Sequence, residues 1–323
     1  MMKRGLPILL AVACCLAASA PAIAEDIVVT QYKADPSGAP FGVAIDRGFF
    51  KKAGIDITDV ISGEGGGSSV RNALASKLGY GDVSPAPVIA AIKAGEDVRI
   101  VNMGTNSLAS NVVIVMPNSP IKTIQDIKGK KWGISNPKSL GELIAILCVE
   151  KAGLSANDVQ RVALGGLSGV LTGMESGLID VTAVPSILFR TRGGESKYRV
   201  ILRPNELPLV PTAIGIASGD LMKNRPDSLR AVLAGRRDGV RFIYEHPQDA
   251  AKILGGVWDS IPQDAVNGLV TDLVAAKFYS EGRIDLEPLR TVVRAMKNIG
   301  MLDGDVNLES MIDRSFLPAD LRN

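Results

Sequence analysis

Two hydrophobic periods alternate along the chain. Short apolar runs at 27–31, 55–60, 81–84, 98–103, 112–116, 132–135, 159–164, 181–184, 199–202 and 214–217 read as strands. Segments with apolar residues three and four apart lie between them and predict helices over 41–52, 68–77, 87–94, 140–152, 167–176 and 187–192. In the first helix Ala44, Ile45, Phe49 and Phe50 fall on one side, and Gly54 closes it. Strand and helix in alternation predict an α/β fold. After residue 217 the alternation stops. Four helices follow, over 228–245, 247–255, 263–276 and 286–299, with Pro226 near the first start and Glu245-His246-Pro247 as a break.

A weak internal repeat runs through this pattern. Ala73-Leu74-Ala75-Ser76 before Tyr80-Gly81-Asp82-Val83 is similar to Gly173-Met174-Glu175-Ser176 before Leu178-Ile179-Asp180-Val181, and each stretch reaches a proline, Pro85 or Pro185. Two related lobes would produce it, and so would convergent helix–strand punctuation. The length fits two domains of roughly 100–200 residues. The near absence of low-complexity sequence favours two lobes from one interwoven chain over a linker-joined pair. The layout places the lobe crossings near Met116-Pro117 and near Thr212 to Gly215. One lobe then takes 25–115 plus 216–323, and the other takes 116–215.

The N-terminus departs from the pattern. Lys3 and Arg4 precede an apolar core over 6–16, and Ala22-Ile23-Ala24 fits a small-residue cleavage site. Residues 1–24 therefore read as a secretory leader, with Glu25 or Asp26 as the mature start. The apolar core is too short to span a bilayer, which needs about 18 or more apolar residues. Cys14 and Cys15 lack the lead-in of a lipid-modified cysteine. The chain has 36 Lys+Arg and 34 Asp+Glu, and loss of Lys3 and Arg4 with the leader leaves 34 of each. A neutral chain argues against nucleic acid as a partner. The mature part keeps one cysteine, Cys148, and one histidine, His246. That excludes an intramolecular disulfide and a zinc site built on His and Cys. No metal, cofactor or catalytic residue is expected.

Several motifs point to a family. Pro40-Phe41-Gly42-Val43-Ala44-Ile45-Asp46-Arg47-Gly48-Phe49-Phe50-Lys51-Lys52-Ala53-Gly54-Ile55-Asp56-Ile57 is followed by Gly65-Gly66-Gly67-Ser68. Asp126-Ile127-Lys128-Gly129-Lys130-Lys131-Trp132-Gly133-Ile134, Glu175-Ser176-Gly177-Leu178-Ile179-Asp180, Arg225-Pro226-Asp227 and Glu245-His246-Pro247 come later. With these the chain resembles the periplasmic solute-binding proteins of ABC importers, in the NMT1-like group of nitrate, sulfonate, taurine and thiamine-precursor binders. The resemblance implies a two-lobed type II periplasmic binding fold, each lobe a mixed sheet flanked by helices, with two hinge crossings. It implies an extracytoplasmic monomer that captures a small organic ligand, by default an anion such as a sulfonate or carboxylate, for a permease in the inner membrane. Enzymes of pyrimidine-synthase or desulfinase type use the same scaffold and stand as an alternative, as does a ligand-sensing partner of a membrane receptor. The chain departs from the family at Gly79-Tyr80-Gly81-Asp82, where many relatives carry Gly-x-x-Asp.

Ligands in open α/β sheets sit beyond the carboxyl ends of strands, at helix N-termini. Gly66, Gly67 and Ser68 stand at one such junction, as an anion or carbonyl cradle or as an ordinary serine-capped loop. Ser135, Lys138 and Ser139 occupy the matching junction of the second unit, in a loop similar to the family's Gly/Ser-rich one. Gly165 and Gly166, then Pro185 and Ser186, follow further strands. Gln31, Tyr32, Pro40 and Phe41 follow the first strand, with both aromatics as stacking groups or core. Ser84 and Pro85 follow another strand. Asn106 and Thr212 stand near strand ends and the second crossing. Glu64 and Asp82 would favour a cationic or amine-bearing ligand. Cys148 among apolar neighbours and His246 in a helix break read as structural, which leaves nucleophilic catalysis without its pair.

Overall fold

The computed structural model describes residues 24–203 and 206–322. The expected leader therefore lies outside the described residues, apart from Ala24. Ten strands form: β1 (Glu25–Thr30), β2 (Ile57–Gly63), β3 (Tyr80–Val83), β4 (Val98–Met103), β5 (Asn111–Val115), β6 (Lys131–Ile134), β7 (Gln160–Ala163), β8 (Val181–Pro185), β9 (Arg199–Leu202) and β10 (Ile214–Ser218). They make two five-stranded sheets, ordered β2-β1-β3-β10-β4 and β7-β6-β8-β5-β9. In each sheet three strands run parallel, and the fourth in order is antiparallel to both neighbours. The two sheets thus share one topology. The weak repeat falls on β3 and β8, which occupy the same place in their sheets.

The antiparallel strand is the one that has just crossed. β5 follows β4 in sequence but joins the second sheet, and β10 follows β9 but joins the first. The crossings therefore run over 104–110 and 203–213. The first crossing thus lies ahead of its expected place, while Thr212 and Ala213 of the second fall within theirs. Met116-Pro117 is the turn after β5, and residues 214–215 already pair with β3 and β4. The first crossing is built of bends and a turn over 106–110, which the local pattern does not distinguish from an ordinary loop.

Twelve helices cover the sheets: α1 (Ala39–Asp46), α2 (Phe49–Ala53), α3 (Gly67–Ala75), α4 (Pro85–Lys93), α5 (Leu140–Lys151), α6 (Leu167–Glu175), α7 (Ser186–Thr191), α8 (Gly219–Asn224), α9 (Pro226–Glu245), α10 (Pro247–Val257), α11 (Gln263–Ala275) and α12 (Leu286–Asn298). The single helix expected over 41–52 is two. Gly48, at φ +68°, takes a left-handed turn that other residues rarely adopt, and α2 starts afresh behind it. The short α8 was not expected; Ser218 caps it by accepting from Leu221 N at 3.2 Å. α9 buries Leu229, Val232, Leu233, Val240 and Ile243 at helical spacing against α1 and α2.

Arg236 lies on that same buried face. Its guanidinium donates to Ser280 O at 2.8 Å and to Gly104 O at 2.5 Å, so it grips the start of the first crossing. Its Nε lies 3.6 Å from Asp82 Oδ2 on β3, an ion pair in Coulomb contact without a hydrogen bond. The guanidinium also sits over the Phe41 ring, 5.6 Å from its centre. Burial pushes the Asp82 carboxyl up to about 6, with Arg236 pulling it down and Asp35 adding repulsion.

Two outcomes follow from this brace. Arg236→Leu leaves Asp82 and two carbonyls buried without a partner, and should cost about 3–5 kcal/mol in chemical denaturation. Asp82 titrates higher in the folded protein than in the unfolded chain, so its charge costs stability above pH 6, and that cost fades as pH falls towards 4. The unfolding free energy should therefore rise between pH 7 and pH 5, and Asp82→Asn should reduce the rise. Equal slopes in the two proteins would contradict this account.

Candidate functional site

The carboxyl ends of the parallel strands in both sheets face one gap. The first sheet brings Thr30 at the end of β1 and Ser84 after β3 to it. The second sheet brings Ser135 after β6 and Pro185 at the end of β8. The helices that follow start at this gap. Four of them, α3, α4, α5 and α6, present Gly66, Ser84, Ser139 and Leu167 at or next to their first residues. The first N–H groups of a helix have no partner within it and carry a partial positive charge. Two helices from each lobe therefore turn their N-termini to one space; Pro85 and Pro87 leave Ala86 N–H as the one donor in the first three residues of α4. Asn111 at the start of β5 and Thr212 and Ala213 of the second crossing line it as well.

Local structure exposes these donors. Gly66, the residue before α3, has φ +60° and ψ −148°, and no side chain caps the helix. A Cβ there would stand 3.6 Å from Pro137 O of the opposite lobe. Gly65 N is held by Ser69 Oγ at 3.0 Å, and Ser68 Oγ donates back to Gly65 O at 2.7 Å. Ser68 and Ser69 thus brace the loop rather than cap the helix. Across the gap, Ser139 Oγ accepts from Glu142 N at 3.3 Å. The buried Glu142 accepts from Lys138 N at 2.7 Å and pairs with Arg161 at 3.2 Å, which holds Lys138 at its left-handed φ of +65°.

The cavity is polar and narrow, with a free volume of about 30 Å³. Hydroxyls, the two amides of Gln31 and Asn111 and backbone groups line it, and Asp35 is the one ionisable side chain among its lining residues. Asp35 is 4 % exposed and caps a short 3-10 turn by accepting from Ser37 N at 2.8 Å. Burial pushes its carboxyl up to about 6, against hydrogen bonds from Ser37 and Ser110. Thr30 Oγ1 is buried at the cavity with no hydrogen-bond partner.

Of the residues expected at the site, Gln31, Gly66, Ser84, Ser135, Ser139, Pro185 and Thr212 line this cavity. Gly165 and Gly166 face an outer cleft of about 450 Å³ that shares Gln31 and Leu167 with it. Lys138 turns away into a groove beside α3 and α4. Phe41 is fully buried between Phe50 and Tyr80, so it is core and not a stacking surface, and Pro40 is buried beside it at the start of α1. The Tyr32 ring packs over Gly38 and its hydroxyl over Gly42. Asn106 donates to Lys277 O and Tyr279 O, and Ser186 Oγ to Ser110 O; both tie the crossing down. Gly67 and Pro85 are helical and lie outside the cavity lining. Of the acids expected to favour an amine, Glu64 lines the outer cleft and Asp82 lies behind the cavity on β3, paired to Arg236. Thr30, Asp35, Ser37, Asn111, Gly141 and Leu167 line the cavity and were not expected. Asp35-Pro36-Ser37 had a readable signal, an Asx cap before a proline directly after the first strand.

The groups of the enzymatic alternative lie elsewhere. Cys148 is fully buried in α5, and burial pushes its thiol up. His246 stands at the break between α9 and α10 against the Phe242 ring. Among the described residues no helix is long and apolar enough to cross a membrane.

Comparison with known proteins agrees with this architecture. An aliphatic sulfonates-binding protein of Bacillus subtilis is 30% identical over 146 residues, which is 43% of this chain and 44% of that protein. The matched segment thus spans less than half of that relative. The periplasmic aliphatic sulphonate binding protein SsuA from Escherichia coli superposes with a TM-score of 0.70 at 17% identity, over 90% of this chain and 91% of its own. The desulfurization enzyme DSZB shares the fold at a TM-score of 0.59 and 15% identity, over 91% of this chain and 97% of its own. The family described as NMT1/THI5 like matches residues 35–250, two thirds of the sequence. The chain belongs to the NMT1/THI5-like family, on a two-lobed periplasmic binding fold.

Proposed function

We propose that this protein is the extracytoplasmic ligand-binding component of an ABC importer. It is exported by the leader over 1–24, works as a monomer in the periplasm, and closes its two lobes over a small organic anion, a sulfonate or carboxylate, for a permease. The observation that carries this reading is the convergence of four helix N-termini, two from each lobe, on one cavity. Their free N–H groups favour a negatively charged ligand head, and a ligand held from both sides stabilises the closed form. The names of the sulfonate-binding relatives support the same ligand class. The cavity's polar groups suit recognition. Its serines have no neighbouring histidine, and Cys148 is buried in α5, so binding is favoured over catalysis.

Thermal unfolding against a panel of alkanesulfonates, carboxylates, nitrate, pyrimidines and amines tests the reading. A ligand at 100 times its Kd should add about 2.7 kcal/mol to stability, seen as a higher midpoint with the ligand recovered unchanged. A ligand recovered as product would favour the enzyme reading. A shift only with cationic amines would overturn the anion class. A second test uses Gly141 in the first turn of α5. A Cβ there meets its nearest atoms at 3.8 Å, so a small side chain fits, but the cavity holds little more. Gly141→Leu should abolish the ligand-induced shift and leave the unliganded midpoint within a few degrees of the parent.

A further inference from the structure

The junction before α5 is built differently from the other three at the cavity. Gly66 and Gly166 precede α3 and α6 without a side-chain cap, and Pro85 and Pro87 open α4. At α5 an ion pair stands behind the loop instead. Glu142, in the first turn, is 6 % exposed, and its Oε1 lies 3.2 Å from Arg161 Nε on β7. Arg161 is anchored in turn, donating to Ala156 O at 3.1 Å. Ser139 and Glu142 have the spacing of a capping box, in which the acid would accept from Ser139 N. One half forms, since Ser139 Oγ accepts from Glu142 N at 3.3 Å. The other half is redirected. Ser139 N donates to Asn136 O at 3.2 Å, and Glu142 Oε2 accepts from Lys138 N at 2.7 Å, one residue earlier. A capping box needs neither burial nor a counter-ion, and Glu142 has both.

The result is a closed turn over 136–139, with Lys138 at φ +65°, a conformation a lysine keeps only where its surroundings enforce it. This turn reaches the site in two ways. It sets the aim of the residues that follow, and Ser139, Leu140 and Gly141 line the cavity. It also carries Pro137 O, which a Cβ on Gly66 of the first lobe would meet at 3.6 Å. The arrangement has an electrostatic cost. A carboxylate in the first turn of α5 competes with a bound anion for the positive potential of that helix end. Arg161, reaching in from β7, offsets that charge.

Resting on the proposed function, we infer that Glu142 is a positioning residue of the ligand site and that Arg161 is its charge balance. Glu142 holds the 136–139 turn, so that the N-terminus of α5 aims at the ligand and Pro137 meets Gly66 when the lobes close. Arg161 keeps the Glu142 carboxylate from repelling the bound anion. Neither side chain lines the cavity. Both act through the loop.

Calorimetric titration of the whole mature protein with ethanesulfonate, propanoate and nitrate tests this, each variant being shown folded by its unfolding transition. Glu142→Ala removes acceptor and charge together and should weaken the tightest of the three probes about tenfold or more. Glu142→Gln keeps an acceptor for Lys138 N–H and should recover most of that loss. Arg161→Gln leaves the carboxylate uncompensated and should weaken binding about fivefold at low salt, a loss that shrinks as salt is raised. Adding Glu142→Gln to Arg161→Gln should restore affinity. A pair that serves packing alone would shift the unfolding midpoint in the same order, but would leave the affinity of the folded variants and its salt dependence at the parent's values. That result overturns the inference and leaves the anion-binding function standing. Parent protein that binds none of the probes, nor any anion of the wider panel, overturns both readings. Hydrogen exchange needs no ligand. The amides of 138–142 should exchange about tenfold faster or more in Glu142→Ala than in the parent, with those of α3 and α6 unchanged, and equal rates overturn the positioning role. If Glu142→Ala does not fold, the two glutamine variants carry the test.

Discussion

The two sheets can share one cavity only because the two crossing segments are tied to each other. Thr105, fully buried in the first crossing, does this with one hydroxyl. Its oxygen accepts from Thr212 N at 2.8 Å and from Ala213 N at 3.3 Å in the second crossing, and lies 2.9 Å from Thr212 Oγ1. Two accepted bonds use both lone pairs of a hydroxyl, so its own proton is the one left to give, and it goes to Thr212. That leaves the Thr212 proton free to turn towards the cavity it lines. Gly104 N and Thr105 N complete the tie by donating to Ala213 O. The segment 278–280 pairs with the other side of the first crossing, where Asn106 N donates to Phe278 O and Ser280 N to Gly104 O. The first crossing is therefore bonded on both of its sides, to 212–213 and to 278–280.

Charge is arranged around this patch with little margin. Arg236 bonds the crossing through Gly104 O and balances Asp82, but its geometry gives Asp82 attraction without a hydrogen bond. A core selected for stability alone would place an apolar pair there. A buried ion pair, a second buried carboxyl at Asp35 and an unpartnered Thr30 hydroxyl lie within one region of the fold. Local violations of packing rules concentrate where function needs them. These features favour the cavity as the candidate site, and the surrounding apolar core of Phe41, Tyr80, Ile214 and Ile216 carries the cost.

Much of the fold was legible because its signals are local. Ten strands follow from runs of Val and Ile, and Gly54 and Pro226 mark ends that the structure keeps. Even the shared topology left a trace, in the two helix–turn–strand stretches that end at Pro85 and Pro185. The crossings were not legible in position. Residues 106–110 are bends and a turn like those of other loops, and the partners of 104–106, at 213 and at 278–280, are distant in sequence. The site divides in the same way. Gly66, Ser84, Ser135, Ser139 and Pro185 were found from their place after strands, a rule that needs no tertiary information. Lys138 followed the same rule and points outward, since Glu142 bonds its N–H and fixes the loop in a left-handed turn. Asp35 was missed because its local signal, an Asx cap before Pro36, reads as turn chemistry and does not show that the turn lines a cavity.

Closure of the two lobes has modest support from the protein itself. Across the gap, Arg190 approaches Asp272 at 3.8 Å, and Glu150 meets Arg294 at 3.7 Å, pairs that stand largely in solvent. Exposed pairs of this kind contribute about 0–1 kcal/mol each. Apolar contacts are firmer. Ile187, at the start of α7, is buried in the cluster of Ala39, Val43 and Trp258, so one side of the cleft is sealed by packing. On another side α5 packs on α12, and Leu143 and Leu147 share one apolar cluster with Leu289 and Val292. Gly66 near Pro137 adds a backbone approach. Under the proposed function a ligand bonded to groups of both lobes adds to these contacts, and one bonded to a single lobe does not.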